Sequence, residues 1–248
     1  METLDRLIEI LSEERGEASP KLTDEQKPDY FRALCNVRPP APITDEFLRL
    51  EAEYLSARLR KGGVTEASSL NFRDGVALFR GDITTLNADA IVNAGNAAML
   101  GCFRPLHGCI DNAIHSAAGV RLRLDCNEIM KGREAKNGEV VVTKGYNLPC
   151  KFVFHTVGPV VYGRVTDENR VSLRRCYDNC LEKADEMRLK TVAFCCISTG
   201  VFGYPQEEAA RLAASTVKDY LARTKSGLKV IFDVFTEKDY EIYGRILG

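Results

Sequence analysis

The sequence predicts an α/β protein: a mostly parallel or mixed sheet covered by helices on both faces, preceded by a small N-terminal helical unit. Two observations predict it. From residue 71 onward, short β-rich runs alternate with amphipathic helical patterns, an order that layers helices over both faces of a sheet. Ahead of that, residues 1–70 read as helical segments split by prolines. A chain of 248 residues, 45% hydrophobic, has enough apolar material for one well-buried core with a smaller unit appended.

In chain order, Leu4, Leu7, Ile8 and Leu11 share one helical face, after which Pro20, Pro28 and the cluster Pro39, Pro40 and Pro42 interrupt. Thr44 is an N-cap for a helix over 45–60, and Gly62-Gly63 its stop. The polar stretch KGGVTEASSLNFRDG, 61–75, has the composition of a linker, so the chain divides into a helical extension, 1–70, and an α/β domain, 71–248. Strands are expected at VALF (76–79), DAIVN (89–93), EVVVT (139–143), KFVFHTV (151–157), TVAFCCI (191–197) and LKVIFDVF (228–235). Leu173, Cys176, Tyr177, Cys180, Leu181, Ala184 and Met187 fall at helical spacing, which makes Cys176 and Cys180 core thiols. Pro205 sits where a first helical residue is favoured, before EEAARLAASTVKDYL.

Composition excludes several classes. Lysine plus arginine total 34 against 35 acidic residues, so no field for a nucleic acid is implied. The N-terminus lacks a basic region followed by an apolar run, and nowhere do 18 apolar residues follow one another, which points to a cytoplasmic protein with no membrane partner. Nine cysteines, an odd count spread along the chain, fit reduced thiols better than a disulfide framework.

Three constellations carry candidate chemistry. Cys102, His107 and Cys109 follow a C-x4-H-x-C pattern in MLGCFRPLHGCIDNAIH, with Pro105 stiffening the turn between them. Thiolate and imidazole suit zinc, and three ligands with an open position is the pattern of a catalytic site. Buried cysteines beside a hydrogen-bonded loop histidine would give the same text. Ile110, Ala113, Ile114 and Ala117 start a helix near Cys109 that ends before Gly119; His115, one turn beyond Asp111, points away from the loop, and spacing assigns no role to Cys126.

The second constellation is GDIT (81–84) followed by ADAIVNAGN (88–96), just past strand ends where open α/β sheets hold ligands. Asp82 suits an exocyclic amine, and Asn93 and Asn96 suit sugar hydroxyls, although turns use the same residue types for local reasons. The third is STGVFGYP (198–205), between a strand and a helix, where Gly200 and Gly203 let backbone N–H groups face a phosphate. It matches neither dinucleotide nor Walker fingerprint and is equally an ordinary strand-to-helix turn. Phe202 at its tip suits covering a sugar ring or packing at an edge.

Taken together, GDIT, IVNAGNAAMLG, CIDNAIHSAAG, FHTVGP and ISTGVFGYP resemble, in order and spacing, the macrodomain family over residues 72–248. The resemblance implies a three-layer α/β/α sandwich with a mixed sheet that binds ADP-ribose. Asp82 and Ile83 would hold the adenine, and Ser198, Thr199, Gly200, Val201, Phe202, Gly203 and Tyr204 the diphosphate. Asn93 and Asn96 would surround the distal ribose with Phe202 packed on it, and Asp111 would stand near the scissile bond. Where common members carry a glycine-rich loop, this chain has GCFRPLHGC, which resembles the zinc-containing branch with an N-terminal helical unit. NAGNAA has glycine and alanine where alanine and serine are frequent, a change that leaves the polar contacts in place.

Members of that branch are similar to hydrolases that remove single ADP-ribose units from proteins, some of them encoded beside a sirtuin-type transferase and a lipoyl-carrier protein, which makes a lipoyl-carrier protein one candidate substrate. The expectation is therefore a zinc-dependent hydrolase of mono-ADP-ribosylated protein, O-linked through a carboxylate, with Asn96 and Asp111 catalytic and Cys102, His107 and Cys109 holding the metal. Two other activities fit the same pocket: a reader of ADP-ribose with structural zinc, and a deacylase of O-acyl-ADP-ribose.

Overall fold

Apolar residues at helical spacing fold the first sixty residues into three helices. In the computed structural model, which describes residues 2–248, α1 (Glu2–Glu14), α2 (Lys27–Val37) and α3 (Asp45–Gly62) bury Leu7, Ile8, Leu11, Phe31 and Phe47 against one another and against Val120. Thr44 caps α3 by accepting from the Phe47 N–H at 3.2 Å, and the helix stops where Gly63 takes φ +87°.

The remaining elements are β1 (Thr65–Glu66), β2 (Val76–Arg80), β3 (Leu86–Asn87), β4 (Ala90–Ala94), α4 (Ile110–Ala118), α5 (Val120–Met130), β5 (Val140–Lys144), β6 (Phe152–Thr156), α6 (Asp167–Glu186), β7 (Thr191–Phe194), α7 (Gln206–Thr224), β8 (Lys229–Val234) and α8 (Glu237–Leu247). Six strands form one mixed sheet in the order β2-β8-β7-β4-β6-β5, parallel throughout except for β5 against β6. Helices α4 and α5 pack against β4 and β5, while α6, with α7 and α8 stacked beside it, packs against β5, β6 and β7. The sheet is thereby covered on both faces, as the alternating pattern predicts.

The predicted strands all form, with one strand cut short and one helix starting a residue late. The run TVAFCCI leaves the sheet after Phe194, where Cys195 to Ile197 turn at the carboxyl end of the strand and bury Cys195 and Ile197 rather than extend the ladder. Pro205 stands one residue before α7 rather than within its first turn. The stretch 61–75 is tied down: Thr65 and Glu66 pair in parallel with Leu86 and Asn87, and Ala67 is buried in the main core.

Strand order locates the site. From β4 the chain crosses to the edge strand β5, comes back through β6 on the same side, and then passes to the other side of β4 to form β7. The loops after β4 and β7 therefore diverge, and the crevice between them lies at the carboxyl ends of parallel strands, where α/β sheets bind ligands.

Candidate active site

A cavity of about 400 Å³ fills that crevice, within the range of small-molecule sites. Its walls come from consecutive strands. The turn after β4 supplies Gly95 and Asn96, the turn after β7 supplies Cys195, Cys196 and Ser198 to Phe202, and the end of β8 supplies Asp233 and Phe235. Since β8, β7 and β4 are neighbours about 4.8 Å apart, these contributions lie in a row. No lysine or arginine is among the lining residues.

At the β4 end, Asn93 and Asp111 form a buried polar pair. The Asn93 amide nitrogen donates to Asp111 Oδ1 at 2.8 Å and to His155 Nδ1 at 3.1 Å. Burial pushes the His155 pKa down to about 3, so the ring is neutral; with Nδ1 accepting, its proton sits on Nε2, which faces Thr143 Oγ1 at 3.0 Å. This network fixes which way the Asn93 amide points. Burial also pushes the Asp111 carboxyl up to about 6, against the opposing hydrogen bond from Asn93. Asn96 spans its own turn, accepting from Ala98 N at 3.1 Å and donating to the Gly101 carbonyl at 3.2 Å.

The C-x4-H-x-C loop closes as its spacing suggests. The ligand atoms of Cys102, His107 and Cys109 all lie within 4.8 Å of one another, and all three residues line the cavity. Cys102 Sγ stands 3.5 Å from His107 Nδ1, and Cys109 caps α4 by accepting from Asn112 N at 3.4 Å. Burial pushes the Cys109 thiol up to about 11, so a metal would have to displace a proton there. Two thiols and one imidazole around an opening onto the cavity are a donor set that fits zinc with one free position.

Helix α2 clamps this loop through its backbone. Arg32 donates to Asn112 Oδ1 at 2.7 and 3.2 Å and to the His107 carbonyl at 3.4 Å. Asn36 accepts from Leu106 N at 3.0 Å, which holds Leu106 at φ +54°, and donates to Ser116 at 3.0 Å. His115 is not a neighbour of the three loop side chains but packs under Gly101, at the start of the loop, and one of its ring nitrogens lies within 4.8 Å of Cys126 Sγ and a ring nitrogen of His155.

The turn after β7 is built to leave donors free. Ser198 adopts φ +65°, and Gly158 lies so close that a Cβ there would stand 2.1 Å from Ser198 Oγ. Gly203 N donates to the Gly200 carbonyl at 3.0 Å and Tyr204 N to the Ser198 carbonyl at 3.0 Å. The N–H groups of Gly200, Val201 and Phe202 take no acceptor among the described residues. Convergent backbone donors of this kind form an anion cradle.

Of the residues singled out in the sequence, Asn96, Asp111, Ser198 to Phe202 and the three loop ligands line the cavity, with Asn93 buried beneath them. Gly203 and the buried Ile83 and Tyr204 are not among the lining residues. Asp82 is exposed and holds its own turn, its Oδ1 accepting from Thr84 N at 2.9 Å and Thr84 Oγ1 at 2.7 Å. Sequence reasoning passed over Asp233 and Phe235. The signal was present, a lone carboxylate inside the apolar run LKVIFDVF.

Comparison with known proteins matches this geometry. The Macro domain family profile matches residues 92–213. A protein-ADP-ribose hydrolase of Treponema medium is 45% identical, over 98% of this chain and 97% of its own length. The chain belongs to the macrodomain family. A second protein-ADP-ribose hydrolase, of Staphylococcus aureus strain MSSA476, is 49% identical over 87% of this chain and 82% of its own. Among solved structures, the Oceanobacillus iheyensis macrodomain with ADP superposes with a TM-score of 0.64 at 38% identity, over 71% of this chain and 92% of that one. The Trypanosoma brucei macrodomain in complex with ADP gives 0.68 at 30% identity, over 89% and 96%. Among the described residues, no helix is long and apolar enough to cross a membrane.

Proposed function

We propose that this macrodomain hydrolyses the bond between the distal ribose of ADP-ribose and a protein side chain, a carboxylate ester, with zinc bound by Cys102, His107 and Cys109. The observation that carries the reading is the row of loops. An exposed aromatic ring, a turn with free N–H groups and a buried carboxylate beside the thiol–imidazole loop follow one another across β8, β7 and β4, an order that suits the adenine, diphosphate and distal ribose of ADP-ribose. The names of the Treponema and Staphylococcus relatives support the activity, and the ADP complexes of two relatives support the ligand class.

In this reading the exposed ring of Phe235 covers the adenine, whose amine meets the free oxygen of Asp82 and whose ring meets the Ile83 N–H. The free N–H groups of Gly200, Val201 and Phe202 hold the diphosphate, and Phe202 packs on the distal ribose. Asn96 orients that ribose with its remaining amide N–H, and Asn93 holds the Asp111 carboxylate toward the anomeric carbon. Water adds to that carbon as the ester oxygen departs with the pair of electrons of the broken bond. The transition state has oxocarbenium character, and Asp111 receives the water's proton, which passes to the leaving carboxylate. A zinc ion in the loop would supply Lewis acidity beside the distal ribose.

The test is release of free ADP-ribose from a protein mono-ADP-ribosylated on acidic residues, with a lipoyl-carrier protein as a second substrate. Native, metal-stripped and zinc-restored protein are compared, with folding checked in each. Release that vanishes on stripping while the fold persists, and returns with zinc, is the expected result. Ligand binding with no release at any enzyme concentration would make the protein a reader of ADP-ribose. Release of acetate from O-acetyl-ADP-ribose alone would make it a deacylase. Asn96→Ala is expected to lose roughly a hundredfold in rate while keeping most of its affinity, since positioning acts on the barrier.

A further inference from the structure

The β8 end of the cavity holds a carboxyl group that the reaction above does not use. Asp233 is 5% exposed, lines the cavity, and its Oδ1 has no hydrogen-bond partner among the described residues. The titratable groups that face it are Asp82 from the turn after β2, Cys195 and Cys196 from the end of β7, and, beyond Cys196, Asp239 at the start of α8. None of them is a cation. A buried carboxylate with no donor and a second carboxylate facing it is disfavoured, and the neutral acid is the form such a site retains. Burial, with Asp82 adding to it, pushes the Asp233 carboxyl up to about 8. Its neutral form carries an O–H that needs an acceptor.

Placement says what that acceptor is. Asp233 lies at the carboxyl end of β8 and Phe235 one residue past it, and both line the cavity. Phe235 is 79% exposed at the cavity mouth, an aromatic face open to a planar ring. We propose that Asp233 is a base-reading residue that donates its carboxyl O–H to a ring nitrogen of the adenine lying against Phe235. The assignment rests on the functional reading that puts the nucleoside at this end. It pairs a donor, Asp233, with an acceptor, Asp82, and so suits a base that offers both ring acceptors and an exocyclic amine.

The experiment is calorimetric titration of ADP-ribose from about pH 7 to about pH 9.5 against the full chain and against Asp233→Asn and Asp233→Leu. ADP-ribose itself has no group titrating there. Ligand taken up only by the neutral acid loses about thirtyfold in affinity over that range, given the value of about 8. Asp233→Asn keeps a donor and loses the proton, so its affinity should be flat with pH. Asp233→Leu should bind roughly tenfold more weakly at pH 7 while remaining folded by circular dichroism. A flat profile for the native chain, or the same slope in Asp233→Asn, would overturn the proposal while leaving ADP-ribose binding intact. No binding of ADP-ribose to the native chain at pH 7 would overturn the functional reading and this proposal with it.

Discussion

If the thiol–imidazole loop holds zinc as proposed, replacing Arg32 with alanine should weaken that binding without removing a ligand. The guanidinium makes three hydrogen bonds, two to Asn112 and one to the His107 carbonyl, and Asn112 in turn holds the Arg104 carbonyl at 3.0 Å. Both contacts therefore act on the segment that carries His107. A partly buried hydrogen bond from a charged donor contributes about 1.5–3 kcal/mol. After the change, Asn112 Oδ1 keeps only Ser116 Oγ, at 3.3 Å, so little of that is recovered. If roughly 2 kcal/mol of loop ordering must then come from the metal, zinc affinity falls about thirtyfold. Competition with a chromophoric chelator measures it directly, alongside the melting temperature of the metal-free protein. Affinity within about twofold of native in a folded variant would refute the idea that α2 preorganises the loop.

Other outcomes follow from single contacts. Gly158→Ala would push a methyl group into Ser198 Oγ and displace the anion cradle; ADP-ribose affinity by calorimetry should fall at least about tenfold, with stability down by about 1–3 kcal/mol. Glu51, buried between α3 and α5, accepts from Val120 N at 3.0 and 3.2 Å, yet burial pushes its carboxyl up to about 7. The folded chain therefore holds this proton more tightly than the unfolded one. The resulting loss of stability is absent below about pH 4.5 and complete above about pH 7, at about 3 kcal/mol. Denaturant unfolding should accordingly show Glu51→Gln gaining on the native chain as pH rises from about 5 to about 8. Finally, with no cation lining the cavity, ADP-ribose affinity should change little between about 50 and 500 mM salt; a steep decline would contradict binding through backbone donors.

The sheet was legible because its strands are apolar runs bounded by polar turns, and the pattern placed all six within a residue or two at their starts. It overran at Cys195 to Ile197, where apolar character reports burial in a cavity wall and periodicity cannot tell wall from ladder. The two-residue pairing of β1 with β3 was invisible for the opposite reason, since two residues carry no period. The thiol–imidazole loop was readable because its three ligands lie within eight residues of sequence. The cluster of His115, Cys126 and His155 was not, because α4, α5 and β6 bring it together from a distance. Nor could the sequence show that Arg32 and Asn36, seventy and more residues upstream, hold the loop.

Because β8, β7 and β4 each deliver one part of the pocket, the parts can be inherited separately. On the reading proposed above, substitutions in residues 97–111 would alter what happens at the far sugar and leave the grip on the nucleotide intact, whereas changes near Asp233 would alter which nucleotide is held and leave the chemistry intact. A lineage built on this scaffold can thus trade bond breaking for simple recognition by revising one loop, and the two outcomes will share almost all of their sequence. Resemblance over the nucleotide-gripping segments is for that reason a poor guide to turnover, and the loop after β4 is where descendants with different occupations should be told apart.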